Sequence, residues 1–220
     1  SQARKGQTRG FKTGVPGLVG FTTTEWIDQQ TNNTLDPDGE NAALGRAAQR
    51  GESVLGGRIP IIIHKGGVTY SDNMKRLDPN TPASKAERGR LIRNSETNQN
   101  EIHINAEVAD SVDVAHEVFH GVFLEQFGQN KTIANQMAKS LRRAMSRGSA
   151  KDKELIALAE QAITSYDGNV APEEFLAEIS GELTSVYREL TPTGKQDFTR
   201  GLVAFIDNLL KRVGITNLSE

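Results

Sequence analysis

The stretch Asp110-Ser111-Val112-Asp113-Val114-Ala115-His116-Glu117-Val118-Phe119-His120-Gly121-Val122-Phe123-Leu124-Glu125-Gln126-Phe127-Gly128 carries Val112, Ala115, Phe119, Val122, Phe123 and Phe127 at helical spacing. Asp110 is a good N-cap and Gly128 a good stop, so one helix is predicted between them. Residues four apart on a helix share a face, one turn apart. His116 and His120 therefore offer two imidazoles that a single tetrahedral metal can bind. Glu117 stands beside them, able to hold a metal-bound water and take its proton. The chain has four histidines in all, which makes a coincidental His-Glu-x-x-His match a rare event. The chemistry this pattern points to is metal-assisted hydrolysis, with one Zn2+ per chain.

A hydrolytic zinc needs a third protein ligand and an open fourth position for water. The chain has no cysteine, which excludes thiolate ligands and any disulfide framework. No histidine follows His120, and Gly121-Val122-Phe123-Leu124-Glu125 does not lead into the third-histidine pattern of the metzincins. A carboxylate must serve. The best candidate lies in Pro172-Glu173-Glu174-Phe175-Leu176-Ala177-Glu178. There Glu174 and Glu178 share a helix face with Gly181, opposite the apolar Phe175 and Ile179. Glu174 is the predicted third ligand, with Glu173 and Glu125 as alternatives. Glu178, one turn on, can accept a hydrogen bond from the far nitrogen of a ligand histidine. Gly181 would let the two helices approach closely.

With these residues in view, segment 116–178 resembles the catalytic core of the metalloendopeptidase family that includes anthrax lethal factor and the clostridial Pro-Pro endopeptidases. In that family the His-Glu-x-x-His helix is followed downstream by a helix of the type Pro/Ala-Glu-Glu-Phe-Phe-Ala-Glu, matched here by the segment from Pro172 to Glu178. The resemblance implies a zincin-like fold of the gluzincin type, a zinc ion on His116, His120 and Glu174, and hydrolysis of peptide bonds. It also implies a tyrosine that stabilises the oxyanion. Thr164-Ser165-Tyr166 supplies Tyr166, with one residue more before Glu174 than in the family pattern. A phenol can donate such a hydrogen bond without losing its proton. In zincin folds an edge strand lines the cleft and pairs with an extended substrate. The strand Glu101-Ile102-His103-Ile104-Asn105 is expected in that role, with Glu101, His103 and Asn105 on its exposed side.

Outward from this core, the front of the chain reads as mixed structure. Glu40 to Arg50 has helical spacing and ends at Gly51. Arg58 to His64, rich in isoleucine, reads as a buried strand, and Gly66-Gly67 as a turn before a short strand at Val68 to Tyr70. Residues 71–100 are polar, with a helix suggested near Ser84 to Arg93. The back of the chain is helical. Stripes run through Ile133, Met137, Leu141 and Met145, then Leu155, Leu158, Ala159 and Ala162, then Phe175, Ile179, Leu183 and Val186, and last Phe198, Leu202, Phe205 and Leu209. The fold class is therefore α+β, and the resemblance implies a zincin-like version of it: a small mixed sheet in the N-terminal half, an edge strand over the cleft, the active-site helix, and a helical C-terminal half. Residues 1–35 read as a poorly ordered arm or linker, and 36–220 as one domain, strand-containing over 36–107 and helical over 108–220.

Composition narrows the partners. A net charge of −2 gives no whole-protein attraction to nucleic acid. The basic set Arg4, Lys5, Arg9 and Lys12 has one interleaved aromatic, Phe11, too few for the pattern of a nucleic-acid-binding arm. The apolar run Ile59 to Ile63 is far too short to span a bilayer. Residues 1–30 hold no signal-peptide pattern, and the compartment stays open, with secreted and virion-associated both compatible. The expected partner is a peptide or protein substrate in extended conformation. A part of a larger polypeptide, or a catalytically inactive zincin-like structural or binding module of one, is the alternative reading; an intact Glu117 argues against the inactive form.

Overall fold

The computed structural model describes residues 20–32, 39–166, 168 and 170–189. The chain divides into two compact units, Ser1–Val114 and Ala115–Glu220. Among the described residues it is α+β, with a mixed four-stranded sheet and seven α-helices.

The first unit opens with β1 (Gly20–Thr22) and α1 (Thr23–Asn32), inside the segment expected to be an arm. Trp26, only 2% exposed, anchors α1 and donates its indole N–H to the Asn41 carbonyl at 2.9 Å. Next comes α2 (Glu40–Val54). It continues through Gly51, because the residues that break it are Gly56 and Gly57, both at positive φ (60° and 68°). The isoleucine run forms β2 (Ile61–His64), buried along its whole length. Such an uninterrupted apolar strand belongs inside a sheet. The Glu52 carboxylate ties it down, accepting from the Ile61 amide at 2.9 Å and from the Thr23 hydroxyl at 2.6 Å.

Two expectations for the middle of this unit are corrected. Val68 to Tyr70 is not a strand but the first turn of α3 (Gly67–Leu77). Helical spacing buries Tyr70, Asn73, Met74 and Leu77 together, and this overrides the β-propensity of Val68-Thr69-Tyr70. Gly67 is required there, since a Cβ would stand 2.2 Å from the Lys85 carbonyl oxygen. The segment near Ser84 to Arg93 is not a helix either; its second half is β3 (Gly89–Arg93).

The sheet closes with β4 (Asn100–Asn105), and its strand order is β1-β2-β4-β3. β4 runs parallel to β2, with Ile61 opposite Ile102 and His64 opposite Asn105, and antiparallel to β3, with Gly89 opposite Ile104. It is an inner strand, bonded on both sides. The expected edge strand over a cleft is therefore not β4, and Glu101, His103 and Asn105 are buried rather than exposed. Their polar atoms are satisfied within the unit. Asn94 donates to Glu101 at 2.9 Å, His103 pairs with Glu101 at 3.0 Å and with His64 at 2.9 Å, and the Asn105 amide reaches the Lys85 and Glu87 carbonyls.

The chain passes from one unit to the other within α4 (Ser111–Phe127). Asp110 accepts from the Val112 amide at 2.6 Å and Asp113 accepts from the Asp110 amide at 2.8 Å, a reciprocal cap. Gly128, at φ 60°, ends the helix. The second unit continues with α5 (Lys131–Met145), α6 (Ala150–Ala162), a single 3-10 turn (Ile163–Ser165) and α7 (Ala171–Glu189). Asn130 caps α5, and a Ser149–Asp152 capping box starts α6.

The core of this unit gathers Phe123, Met137, Leu141, Leu155, Ala159, Phe175 and Ile179, with Leu183 partly buried against it. Leu158 departs from its expected stripe and is 44% exposed. The Val186 side chain and the expected last helix, Phe198 to Leu209, lie outside the described residues. No helix among the described residues is long and apolar enough to cross a membrane.

Candidate metal centre

His116 and His120 lie one turn apart on α4, as their spacing requires, and their Nε2 atoms stand 3.2 Å from each other. Glu174 comes from the first turn of α7. That turn is held by the Glu173 and Glu174 amides bonding to the Val170 carbonyl, at 3.0 and 3.1 Å. Immediately behind it, Phe175 is fully buried and lies under the Arg142 guanidinium, 3.9 Å from the ring centre. Arg142 in turn pairs with Glu160. A rigid helix start thus carries the carboxylate to the histidines. Glu174 Oε2 is 3.4 Å from His116 Nε2 and 3.5 Å from His120 Nε2.

Three donor atoms therefore form a triangle with edges of 3.2, 3.4 and 3.5 Å. A tetrahedral ion with bonds of about 2.0–2.1 Å to nitrogen and oxygen sets its ligand atoms roughly 3.3–3.4 Å apart. The residues fit such an ion. His116, His120 and Glu174 can hold a metal, and they are the one such group among the described residues. Their side chains keep 15%, 13% and 17% exposure, so a fourth position can be reached by water.

The field at this centre favours positive charge. Burial works to lower the pKa of His120, but hydrogen bonds to Glu173 and Glu174 and the charge of Glu117 outweigh it and raise the value to about 10. His116 is also raised: against burial stand Glu174, Glu117 and Glu178, with His120 opposing them. Glu174 is held down at about 2 because the two histidines outweigh the effect of burying it. A metal ligand must be the neutral imidazole, so metal binding at such a centre competes with protons for the same nitrogens.

The outward nitrogens are engaged too. His116 Nδ1 stands 3.5 Å from Glu178 Oε1, the partner expected for a ligand histidine. His120 Nδ1 stands 2.9 Å from Glu173 Oε1, closer still. Glu173, an alternative third ligand on sequence, meets the ring at Nδ1 and is not in the group that could hold a metal. The sequence signal for this was present: two adjacent acids on one helix turn point in different directions.

Tyr166 follows the 3-10 turn on the path into α7, with its amide bonded to the Ile163 carbonyl and its side chain 44% exposed. The other two histidines, His64 and His103, do not join the metal group; both lie buried in the first unit.

Comparison with protein-family models, with characterised proteins and with solved structures returned no match.

Proposed function

We propose that this protein is a zinc-dependent endopeptidase. The observation that carries the reading is the triangle of His116 Nε2, His120 Nε2 and Glu174 Oε2, whose edges of 3.2–3.5 Å suit a tetrahedral ion, with Glu117 adjacent in sequence to His116. Two imidazoles and one carboxylate, without thiolate, are a donor set of catalytic zinc, and three ligands leave one position for water. Bound zinc supplies Lewis-acid polarisation of a carbonyl and a lowered pKa for its water.

The chain's own residues do the rest. Glu117 takes the proton of the attacking water and returns it to the leaving amine. The Tyr166 hydroxyl donates a hydrogen bond to the oxyanion as it develops. Glu178 holds the His116 ring through Nδ1. The substrate is a peptide segment in extended conformation, which exposes the scissile carbonyl to such a centre. Its backbone cannot pair with β4, since both edges of that strand are already bonded.

The test is cleavage of a peptide library by zinc-loaded protein, with Glu117→Gln and chelator-treated samples alongside. Cleavage by wild type alone supports the proposal. A protein that binds zinc yet cleaves nothing across a diverse library would be a non-catalytic module instead.

A further inference from the structure

The first turn of α7 contributes two adjacent carboxylates to one imidazole. Successive helix residues are turned by about 100° around the axis, so neighbouring side chains reach different points. Glu174 meets His120 on its Nε2 side and Glu173 meets it on its Nδ1 side. We infer that Glu173 is the positioning residue for His120, holding the ring so that Nε2 faces the metal. This inference rests on the metal-centre reading above.

The contact has the geometry of a charge-assisted hydrogen bond: His120 Nδ1–H donates to Glu173 Oε1 at 2.9 Å. The equivalent contact at His116, to Glu178, is 3.5 Å and lies at the limit of a hydrogen bond. A carboxylate on Nδ1 fixes the tautomer, leaves the Nε2 lone pair for a metal, and raises the basicity of that lone pair. Glu173 is therefore the stronger of the two orienting groups. Its reach is set by the same backbone turn that sets Glu174, so inner and outer contacts to His120 are aligned together.

A competing role exists for any acid in a first turn, namely stabilising the helix dipole. The two roles separate experimentally. Glu173→Ala removes the acceptor, whereas Glu173→Gln removes the charge but keeps an oxygen for Nδ1–H.

The experiment measures zinc affinity by chelator competition for wild type, Glu173→Ala, Glu173→Gln and Glu178→Ala, with thermal unfolding as a check on the fold. It also records the proton resonance of the His120 Nδ1–H in metal-free protein. Glu173→Ala is expected to weaken zinc by about 10–100-fold, with smaller losses in Glu173→Gln and Glu178→Ala, and to abolish the protected Nδ1–H signal. Equal destabilisation by Glu173→Ala and Glu173→Gln with unchanged zinc affinity would overturn the inference in favour of the dipole role. If wild type takes up no zinc, the proposed function fails, and the Nδ1–H signal alone decides this one: present in wild type and lost in Glu173→Ala supports it, unchanged in Glu173→Ala overturns it.

Discussion

Two pairs of histidines occupy this protein, and they sit in opposite electrostatic surroundings. His116 and His120 lie along one helix, partly exposed, with ring centres 5.0 Å apart and tilted by 61°. His64 and His103 lie on neighbouring strands, nearly stacked at 5.2 Å and 18°, and almost wholly buried. Burial is the largest influence on all four and pulls each pKa down. The neighbours decide the outcome. Around the helix pair stand Glu117, Glu173, Glu174 and Glu178, and both values rise. In the sheet a single carboxylate, Glu101, acts on His103 and does not offset its burial, while His64 faces the other imidazole and falls to about 3.

The sheet pair is consequently held neutral. Glu101 accepts from His103 Nε2–H, which leaves His103 Nδ1 to accept from His64 Nε2–H, a tautomer assignment that follows from the network. The surroundings of one pair favour positive charge and those of the other disfavour it. A histidine's role is thus set by how many carboxylates can reach it, more than by how deeply it is buried.

The largest expected effect lies on the helix side. Glu117→Gln should lower kcat by about 10²–10⁴-fold while leaving fold and metal content unchanged, because an amide cannot take the water's proton. Equal turnover by wild type and this variant would remove Glu117 from the chemistry and weaken the contrast between the pairs.

The sheet pair makes its own prediction in acid. His64 has a pKa of about 3 folded against 6.5 when unfolded, so between these values the unfolded chain binds the extra proton. Stability is then full above pH 6.5 and falls as the pH drops below it, by a few kcal/mol in total. The groups facing the pair, His103, Glu101, Tyr70 and Arg76, supply no carboxylate to His64 that would reverse the sign. Trp26 is the chain's single tryptophan and lies in this unit, so its fluorescence during denaturation at pH 5 and pH 7.5 reads the effect directly. His64→Gln should flatten the difference. Identical denaturation midpoints in wild type at both pH values would show that the pair is not held neutral.

A smaller effect concerns Tyr166. Losing one oxyanion donor typically costs about 10²–10³ in rate, and Tyr166→Phe should lower kcat at least roughly tenfold with zinc content, melting temperature and KM close to wild type. Kinetics matching wild type would assign the tyrosine to packing and leave the two histidine pairs untouched.

The helix pair was legible in the sequence because its geometry is local. Four residues along one helix fix the relation of His116 to His120, and a short list of acids remained for the third position. The sheet pair was not, since His64 and His103 are 39 residues apart and meet only through strand pairing. The alternation of Glu101, His103 and Asn105 with Ile102 and Ile104 reads as one wet face and one dry face. Here the polar side chains find partners within the unit, Glu101 and His103 in each other and Asn105 in backbone carbonyls, and both faces are buried. Trp26 and Ile27 are the sequence signal that part of segment 1–35 is structured. The misread strand at Val68 to Tyr70 has a similar lesson: three β-prone residues were outweighed by a helical burial pattern that extends to Leu77.

The most direct test of the metal centre is zinc content. Purified wild-type protein, exposed to zinc and freed of excess, is expected to hold about one ion per chain, and Glu117→Gln to hold the same, since three protein ligands complete a catalytic site. His116→Ala, His120→Ala and Glu174→Ala are each expected to lose it. Full occupancy in Glu174→Ala would contradict the assignment of the third ligand, and the absence of zinc from wild type would contradict the centre altogether.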